Sequence, residues 1–291
     1  MKNPVSQNWY ADPESRVYGD TVYLYVTNSL PFREQHNLDV VTTRDLIHFE
    51  EHRDILDLST FPGAEFAVWA PTVLDKGGKY YLVFAANDIH SEDTVGGLYM
   101  GVSDSPLGPF RNVYADGRPL LNRIYGGAQP IDAHLYRDDD GSVWLYYGGW
   151  GHLMVCRLND TMDGFLPMEE PSIEGVVREL TPEEYKEAPY VMKMNGKYHM
   201  MYSCGSWSNG SYCVRAAEAD SPCGPFTCYG VVLRTTPFAN GPGHNSAFRF
   251  GGKDYIAYHR RSPEDENRHH RRLCIDELPI RDGRLQEVDM T

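Results

Sequence analysis

Apolar positions along this 291-residue chain come in short runs, and polar turns separate them. In Glu187-Ala188-Pro189-Tyr190-Val191-Met192 an acid precedes Ala-Pro and an apolar strand. The pair Asn195-Gly196 then marks a two-residue hairpin turn, and Lys197-Tyr198-His199-Met200-Met201-Tyr202 returns as a strand with aromatic and apolar residues in alternation. This plan of strand, Gly-bearing turn and aromatic strand recurs at Gly19-Asp20, Gly77-Gly78, Asp140-Gly141, Asn195-Gly196 and Gly251-Gly252. The strands that follow are centred on Tyr23, Tyr80, Trp144, Tyr198 and Tyr255, with spacings of 57, 64, 54 and 57 residues. Such a period suits a four-stranded propeller blade with generous loops.

A second echo supports the repeat. Leu98 to Phe110 contains Ser103-Asp104-Ser105-Pro106-Leu107-Gly108-Pro109-Phe110, and Cys213 to Phe226 contains Ala219-Asp220-Ser221-Pro222-Cys223-Gly224-Pro225-Phe226. Weaker versions lie at Val40 to Asp45 and Met154 to Leu158. The expected fold is all-β, a five-bladed β-propeller, with residues 1–291 forming a single domain. The strand Leu273 to Leu278 and the turn Asp282-Gly283 end the chain, and residues 1–8 are placed to close the last blade.

Stepping back eleven or twelve residues from each strand centre reaches Asp12, Trp69, Asp132, Glu187 and His244. In a propeller the first strands line the central channel, so these five positions converge near the axis. A lone Asp-Pro is usually a solvated turn. Three carboxylates brought together cost electrostatic energy, and sites that keep them are usually functional. Trp69 reads equally as core packing or as an indole platform for the C–H face of a sugar. Small and polar neighbours suit His244 to a ligand or hydrogen-bonding role.

Twenty Tyr, 27 Gly and 19 Pro fit short strands and turns. A net charge of −14 opposes attraction to nucleic-acid phosphates or anionic lipid, while a neutral, hydroxyl-rich ligand is indifferent to it. The basic run Arg268-His269-His270-Arg271-Arg272 sits among acids and reads mostly as a solvated loop. No apolar run is long enough for a membrane span, and Met1-Lys2-Asn3-Pro4 lacks a signal-peptide core. As given the chain reads as cytoplasmic, and as secreted or periplasmic if a leader was removed. None of the six cysteines forms a C-x-x-C pair, so a structural zinc site has no support and free thiols are expected, with Cys204 and Cys213 able to face each other across a hairpin.

Tyr10-Ala11-Asp12-Pro13, Trp69-Ala70-Pro71, Ile131-Asp132-Ala133, Glu187-Ala188-Pro189 and Gly243-His244-Asn245-Ser246 together resemble glycoside hydrolase family 43, in its order and spacing and over essentially the whole chain. The resemblance implies a five-bladed propeller that hydrolyses arabinofuranosyl or xylosyl linkages with inversion. By motif position it implies Asp12 as general base, Glu187 as general acid and Asp132 as the carboxylate that tunes the acid. It also implies a channel metal ion near His244, often calcium, bound mainly through water, and no organic cofactor. An Arg that reaches sugar hydroxyls aligns with Arg271, with Arg272 one position away. The C-terminal β-sandwich of many xylosidases of the family is not expected here, so the pocket is shaped by segments such as Asp88 to Gly97 and Ser206 to Gly210. Trp207 is either an outer-subsite platform or packing under its own loop.

The expected ligand is an arabinose- or xylose-containing oligosaccharide or polysaccharide. Endo-acting arabinan or xylan cleavage is the enzymatic alternative, and a non-catalytic glycan-binding propeller is the alternative of another class, disfavoured because a lectin needs no acid, base and tuner. Fructan-cleaving propellers would show Asn-Asp-Pro, Arg-Asp-Pro and Glu-Cys, whereas this chain has Ala11-Asp12-Pro13 and lacks the other two.

Overall fold

The computed structural model describes residues 2–291. Its strands form five antiparallel sheets in chain order, which are the five blades. Blade I holds β1 (Tyr10–Tyr18), β2 (Thr21–Asn28), β3 (Leu38–Thr43) and β4 (Phe49–His52). Blade II holds β5 (Trp69–Lys76), β6 (Lys79–Ala86), β7 (Gly97–Ser103) and β8 (Arg111–Asn112). Blade III holds β9 (His134–Arg137), β10 (Val143–Tyr147), β11 (Met154–Leu158), β12 (Phe165–Leu166) and the short β13 (Arg178–Glu179). Blade IV holds β14 (Glu187–Met194), β15 (Lys197–Cys204), β16 (Cys213–Ala219) and β17 (Thr227–Leu233). Blade V holds β18 (Asn240–Phe250), β19 (Lys253–Arg261) and β20 (Arg272–Glu277), and a small hairpin of β21 (Ile280–Arg281) and β22 (Arg284–Leu285) follows. All five Gly-bearing pairs read from the sequence lie at the hairpin between the first two strands of a blade.

Apolar side chains on both faces of the strands explain the architecture. Five apolar clusters form among the described residues, one at each blade-to-blade interface. On β2 the two faces serve different neighbours. Val22, Leu24 and Val26 pack against Ala257, Leu273 and Ile275 of blade V. Tyr25 packs with Val73, Leu82 and Phe84 of blade II. A sheet buried on both faces therefore reads as a nearly continuous apolar run.

The Ser-Pro-x-Gly-Pro-Phe echo also has a structural reason. The hydroxyl of Tyr25 donates to the carbonyl of Pro106 at 2.7 Å, and that of Tyr146 donates to the carbonyl of Pro222 at 2.7 Å. Each turn thus caps a buried tyrosine from the preceding blade, and Phe110 and Phe226 enter the interface beside it.

Blade V has three strands, and the N-terminal segment covers its outer edge. Val5 donates its N–H to the carbonyl of Leu273 at 3.0 Å. The Asn3 side chain donates to the carbonyl of Ile275 at 2.9 Å, accepts from the Ile275 N–H at 2.9 Å, and contacts Asp276 and Thr291. Ser6 and Asn8 then hold Glu51 on the edge of blade I. The expected closure is thus formed by residues 3–8, while Met1 lies outside the described residues. Among the described residues no helix is long and apolar enough to cross a membrane.

Asn3→Ala removes both Ile275 bonds of this clasp at once. The expected loss is about 1–3 kcal/mol of unfolding free energy, read by urea denaturation. An unchanged midpoint would assign ring closure to the Val5 backbone bond and the Ser6 and Asn8 contacts with Glu51.

Candidate active site

Each inner strand is interrupted at the same level. Pairing slips by one residue between Ala11 and Glu14, Trp69 and Thr72, Glu187 and Tyr190, and Gly243 and Ser246. Within each bulge one residue adopts a left-handed backbone: Asp12 (φ 53°), Ala70 (φ 49°), Ala188 (φ 59°) and His244 (φ 42°). Asp132 (φ 54°) does the same in blade III, just before β9 begins. Proline follows at positions 13, 71 and 189, where the ladder is already broken and a missing N–H costs nothing.

This geometry corrects the sequence-based equivalence. Asp12, Asp132 and His244 occupy the left-handed position itself, while Trp69 and Glu187 stand one residue earlier. The strand aromatic stands third after the Gly-bearing turn at Tyr23 and Tyr255 but second at Tyr80 and Tyr198, so equal steps back from it reach positions one residue apart, whereas Asp12, Ala70, Ala188 and His244 all lie seven residues before the first residue of that turn. The side chains still converge, because the bulge redirects the strand at both positions.

Neighbouring blades hold these bulges. Thr27 Oγ1 accepts from the Ala70 N–H at 2.8 Å, Ser203 Oγ from the His244 N–H at 3.0 Å, and His259 Nδ1 from the Asp12 N–H at 3.2 Å. The Asp132 carboxylate accepts from the Ala188 N–H. A second ring lies below, at the first regular residue after each bulge. Thr72 donates to Glu14 at 3.3 Å and accepts from the Leu135 N–H at 3.0 Å. His134 contacts the carbonyl of Val191 at 3.0 Å, Tyr190 donates to that of Ala247 at 2.6 Å, and Ser246 accepts from the Ser15 N–H at 2.8 Å.

Above these rings opens a cavity of about 380 Å³, lined by all seven residues singled out from sequence: Asp12, Trp69, Asp132, Glu187, Trp207, His244 and Arg271. A hollow of about 460 Å³ on the outer side of blade I is lined by Arg44, Asp45 and His48, far from the convergent carboxylates.

The three acids differ in environment. Burial alone would lift Asp12, but Arg271 Nη1 donates to its Oδ1 at 2.9 Å and His244 and His259 stand at 3.4 and 3.3 Å. Their combined field holds this carboxyl far below the usual range, so it is ionised. Burial raises Asp132 well above its ordinary value, and repulsion from Glu187 and Asp12 adds to it. Burial also raises Glu187, partly offset by the Tyr212 hydroxyl that donates to its Oε1 at 2.9 Å. Repulsion is mutual, so Asp132 and Glu187 retain one proton between them to higher pH than an isolated carboxyl. His244 Nδ1 stands between the acids, 3.4 Å from Asp12 and 3.5 Å from Asp132, and burial lowers its proton affinity.

The aromatic residues form one wall. Trp69 donates its indole N–H to Gln35, and the Phe32 ring meets it edge-on with centroids 4.7 Å apart. Trp207 both lines the cavity and packs, against Phe32 at 5.8 Å and His269 at 5.7 Å, with the guanidinium groups of Arg268 and Arg271 over its ring. The basic run is therefore not a solvated loop. Arg271 turns inward and is buried, Arg268 lies exposed at the cavity rim over Trp207, and His270 stacks on Trp9 at 4.0 Å with Arg272 over the same ring. Of the two expected lid segments, Asp88 and Ser206 reach the cavity.

Sequence reasoning missed Phe32, Gln129, Trp150, Lys186, Tyr212 and Arg268 in the lining, and His259 beneath it. Lys186 directly adjoins the Glu187 motif and Gln129 stands two residues before Ile131; His259 lies on β19, and the others come from loops with no repeating signal. The six cysteines are free, and Cys204 and Cys213 are paired in register across β15 and β16.

The donor set can be tested against a channel metal. Among the described residues no three His, Cys, Asp or Glu side chains are grouped as direct ligands. Buried His134 Nδ1, Asn245 Oδ1 and His259 Nε2 have no hydrogen-bond partner, the Glu14 carboxylate standing 3.6 Å from His134 Nδ1. These atoms suit ordered water, and an ion held through water, better than direct chelation.

Arg271→Met leaves the buried Asp12 charge without its counter-ion and is expected to cost about 3–5 kcal/mol in chemical denaturation. Adding Asp12→Asn removes that charge and should recover part of the loss. Additive losses in the double variant would show that the two groups are not coupled.

Residues 1–285 match the family model described as glycosyl hydrolases family 43. The chain is 37% identical to a β-D-galactofuranosidase of Aspergillus niger, over 99% of this chain and 85% of that one. It is 28% identical to a xylosidase/arabinosidase of Bacteroides ovatus, over 98% and 96%. A solved β-xylosidase/α-arabinofuranosidase from a compost microbial metagenome, crystallised with xylotriose in a calcium-free form, superposes with a TM-score of 0.80 at 25% identity, over 99% of this chain and 96% of that one. With its five blades, three convergent carboxylates and a family match from end to end, this chain belongs to glycosyl hydrolase family 43 and is a glycosidase.

Proposed function

We propose that the protein removes terminal α-L-arabinofuranosyl or β-D-xylosyl residues from oligosaccharides or polysaccharides by single displacement with inversion. The observation that carries this reading is the opposed state of the acids in one cavity. Asp12 is held ionised by Arg271, whereas burial and mutual repulsion raise Asp132 and Glu187, so this pair keeps a proton to higher pH than an isolated carboxyl. An inverting glycosidase needs that division: a base to deprotonate water and an acid to protonate the leaving oxygen. Asp12 is the base, Glu187 the acid, and Asp132 keeps the acid protonated. Trp69 offers a face to the sugar ring, Arg271 reaches its hydroxyls from the Asp12 side, and Trp207 meets the next unit.

The Aspergillus niger relative supports a second reading, a β-D-galactofuranosidase. That sugar shares the ring stereochemistry of α-L-arabinofuranose and adds one exocyclic hydroxymethyl group. A panel of aryl α-L-arabinofuranoside, β-D-xyloside and β-D-galactofuranoside, with linear arabinan and xylan, ranks the readings by kcat/KM. Preference for the polymers would favour endo action.

A hydrated cation beside His244 belongs to this reading, supplying fixed positive charge under the acids; no catalytic step is routed through it. Calcium should raise Tm in the wild type and less in His244→Ala. Equal Tm with calcium and with chelator would remove the ion.

Asp12→Ala and Glu187→Ala should each lose about 10²–10⁴ in turnover. Only the Glu187 variant should recover on activated leaving groups, which need no acid; the reverse pattern exchanges the two roles. Asp132→Asn removes a neighbouring negative charge, so Glu187 should lose its proton earlier and the alkaline limb of kcat/KM should move to lower pH. An unmoved limb would deny Asp132 its tuning role.

Inversion requires room for water between base and anomeric carbon, with carboxyl groups about 6.5–9.5 Å apart. Proton NMR of first-formed sugar should show the β-anomer from an α-arabinofuranoside or the α-anomer from a β-xyloside. Retained configuration would make Asp12 a nucleophile.

A further inference from the structure

The loop between β15 and β16 ends on a fully buried tyrosine, Tyr212, which is 1% exposed. We propose that Tyr212 is a positioning residue for Glu187: it holds one carboxyl oxygen so that the other delivers the proton to the leaving group. The proposal rests on the assignment of Glu187 as the acid.

Three features converge on this side chain. Its hydroxyl donates to Glu187 Oε1 at 2.9 Å. Its ring stacks on His259, with centroids 5.8 Å apart and planes 8° apart, and His259 also accepts from the Asp12 N–H. Beneath the ring lies Gly243, where an added Cβ would fall 2.0 Å from Tyr212 Cε1 and 2.3 Å from Cδ1. Gly243 is not among the residues of left-handed backbone, so its conformation does not demand glycine. Room for the tyrosine does.

The hydrogen bond has one direction. Burial holds the Tyr212 phenol in its protonated form, so its hydroxyl donates and Glu187 Oε1 receives. Oε2 is then the oxygen that carries the transferable proton. A tyrosine in this role does not touch the substrate bond; it removes the rotational freedom of the acid and stabilises the carboxylate that remains after transfer.

Tyr212→Phe keeps the ring and removes the donor. On a substrate with a poor leaving group, kcat should fall about 10- to 100-fold with KM little changed, whereas an activated aryl glycoside should lose only a few-fold. Loss of a donor to the carboxylate lets Glu187 keep its proton longer, so the alkaline limb of kcat/KM should move to higher pH. Gly243→Ala should show the same leaving-group pattern by displacing the ring, and should add little in a Tyr212→Ala background where the clash is absent. Equal losses on both substrates, or an unmoved pH limb in a variant of normal Tm, would reduce Tyr212 to packing. Glu187→Ala serves as reference. If it shows the leaving-group pattern and Tyr212→Phe does not, the acid stands and the positioning role falls; if it lacks the pattern, the acid assignment fails and the proposal falls with it.

Discussion

The residues at the head of the inner strands are aimed by one backbone event, a left-handed break that in four of the blades is a β-bulge. A non-glycine residue in left-handed backbone costs of order 1–2 kcal/mol, and five of them sit around one axis. The N–H groups released by the broken ladder offset that cost, because the adjacent blade supplies acceptors at Thr27, Ser203, His259 and the Asp132 carboxylate. Strain in one blade is thus relieved by its neighbour, and five separate sheets share a single set of site coordinates. The lower ring of Glu14, Thr72, His134, Tyr190 and Ser246 repeats the device and keeps the floor of the site from shifting.

On that frame the charges settle into two unlike arrangements. Asp12 forms a close pair with a buried guanidinium, which fixes its charge. Asp132 and Glu187 have no guanidinium within hydrogen-bonding reach, and burial raises both instead. The contrast arises from where cations can enter: the inward turn of the basic segment before β20 delivers Arg271 to the blade I side, while blades III and IV present backbone N–H groups and a phenol. A chain of net charge −14 thus keeps most of its excess negative charge away from a cavity suited to a neutral substrate.

The blade count, the turns and the identities of the inward acids were legible because each has a local signature: a Gly-bearing pair, an aromatic strand and an acid next to Ala or Pro. The one-residue offset among them was not, because the strand aromatic stands third after the turn in blades I and V, at Tyr23 and Tyr255, and second in blades II and IV, at Tyr80 and Tyr198, while the bulge itself is the same in all four. Loop contributors were equally silent. Phe32, Trp150 and Tyr212 belong to connections of different length in each blade, so no period marks them, although Gly243 next to His244 was a visible trace of the space Tyr212 requires. The basic run was read as solvated because charge alone does not show that Trp9 and Trp207 wait to receive it.

Ring closure has a consequence for biosynthesis. Asp12 emerges early, yet its buried partners lie 247 and 259 residues further along the chain, in His259 and Arg271. A ribosome-bound or proteolysed chain with four blades would carry Glu187, Asp132 and Trp69 beside an Asp12 carboxyl with no counter-ion. Such long-range contacts form late in folding, after the loop entropy has been overcome. The charge balance of the site is therefore a built-in report on the completeness of the ring: the last blade to be made supplies the cation for the carboxyl that was made first.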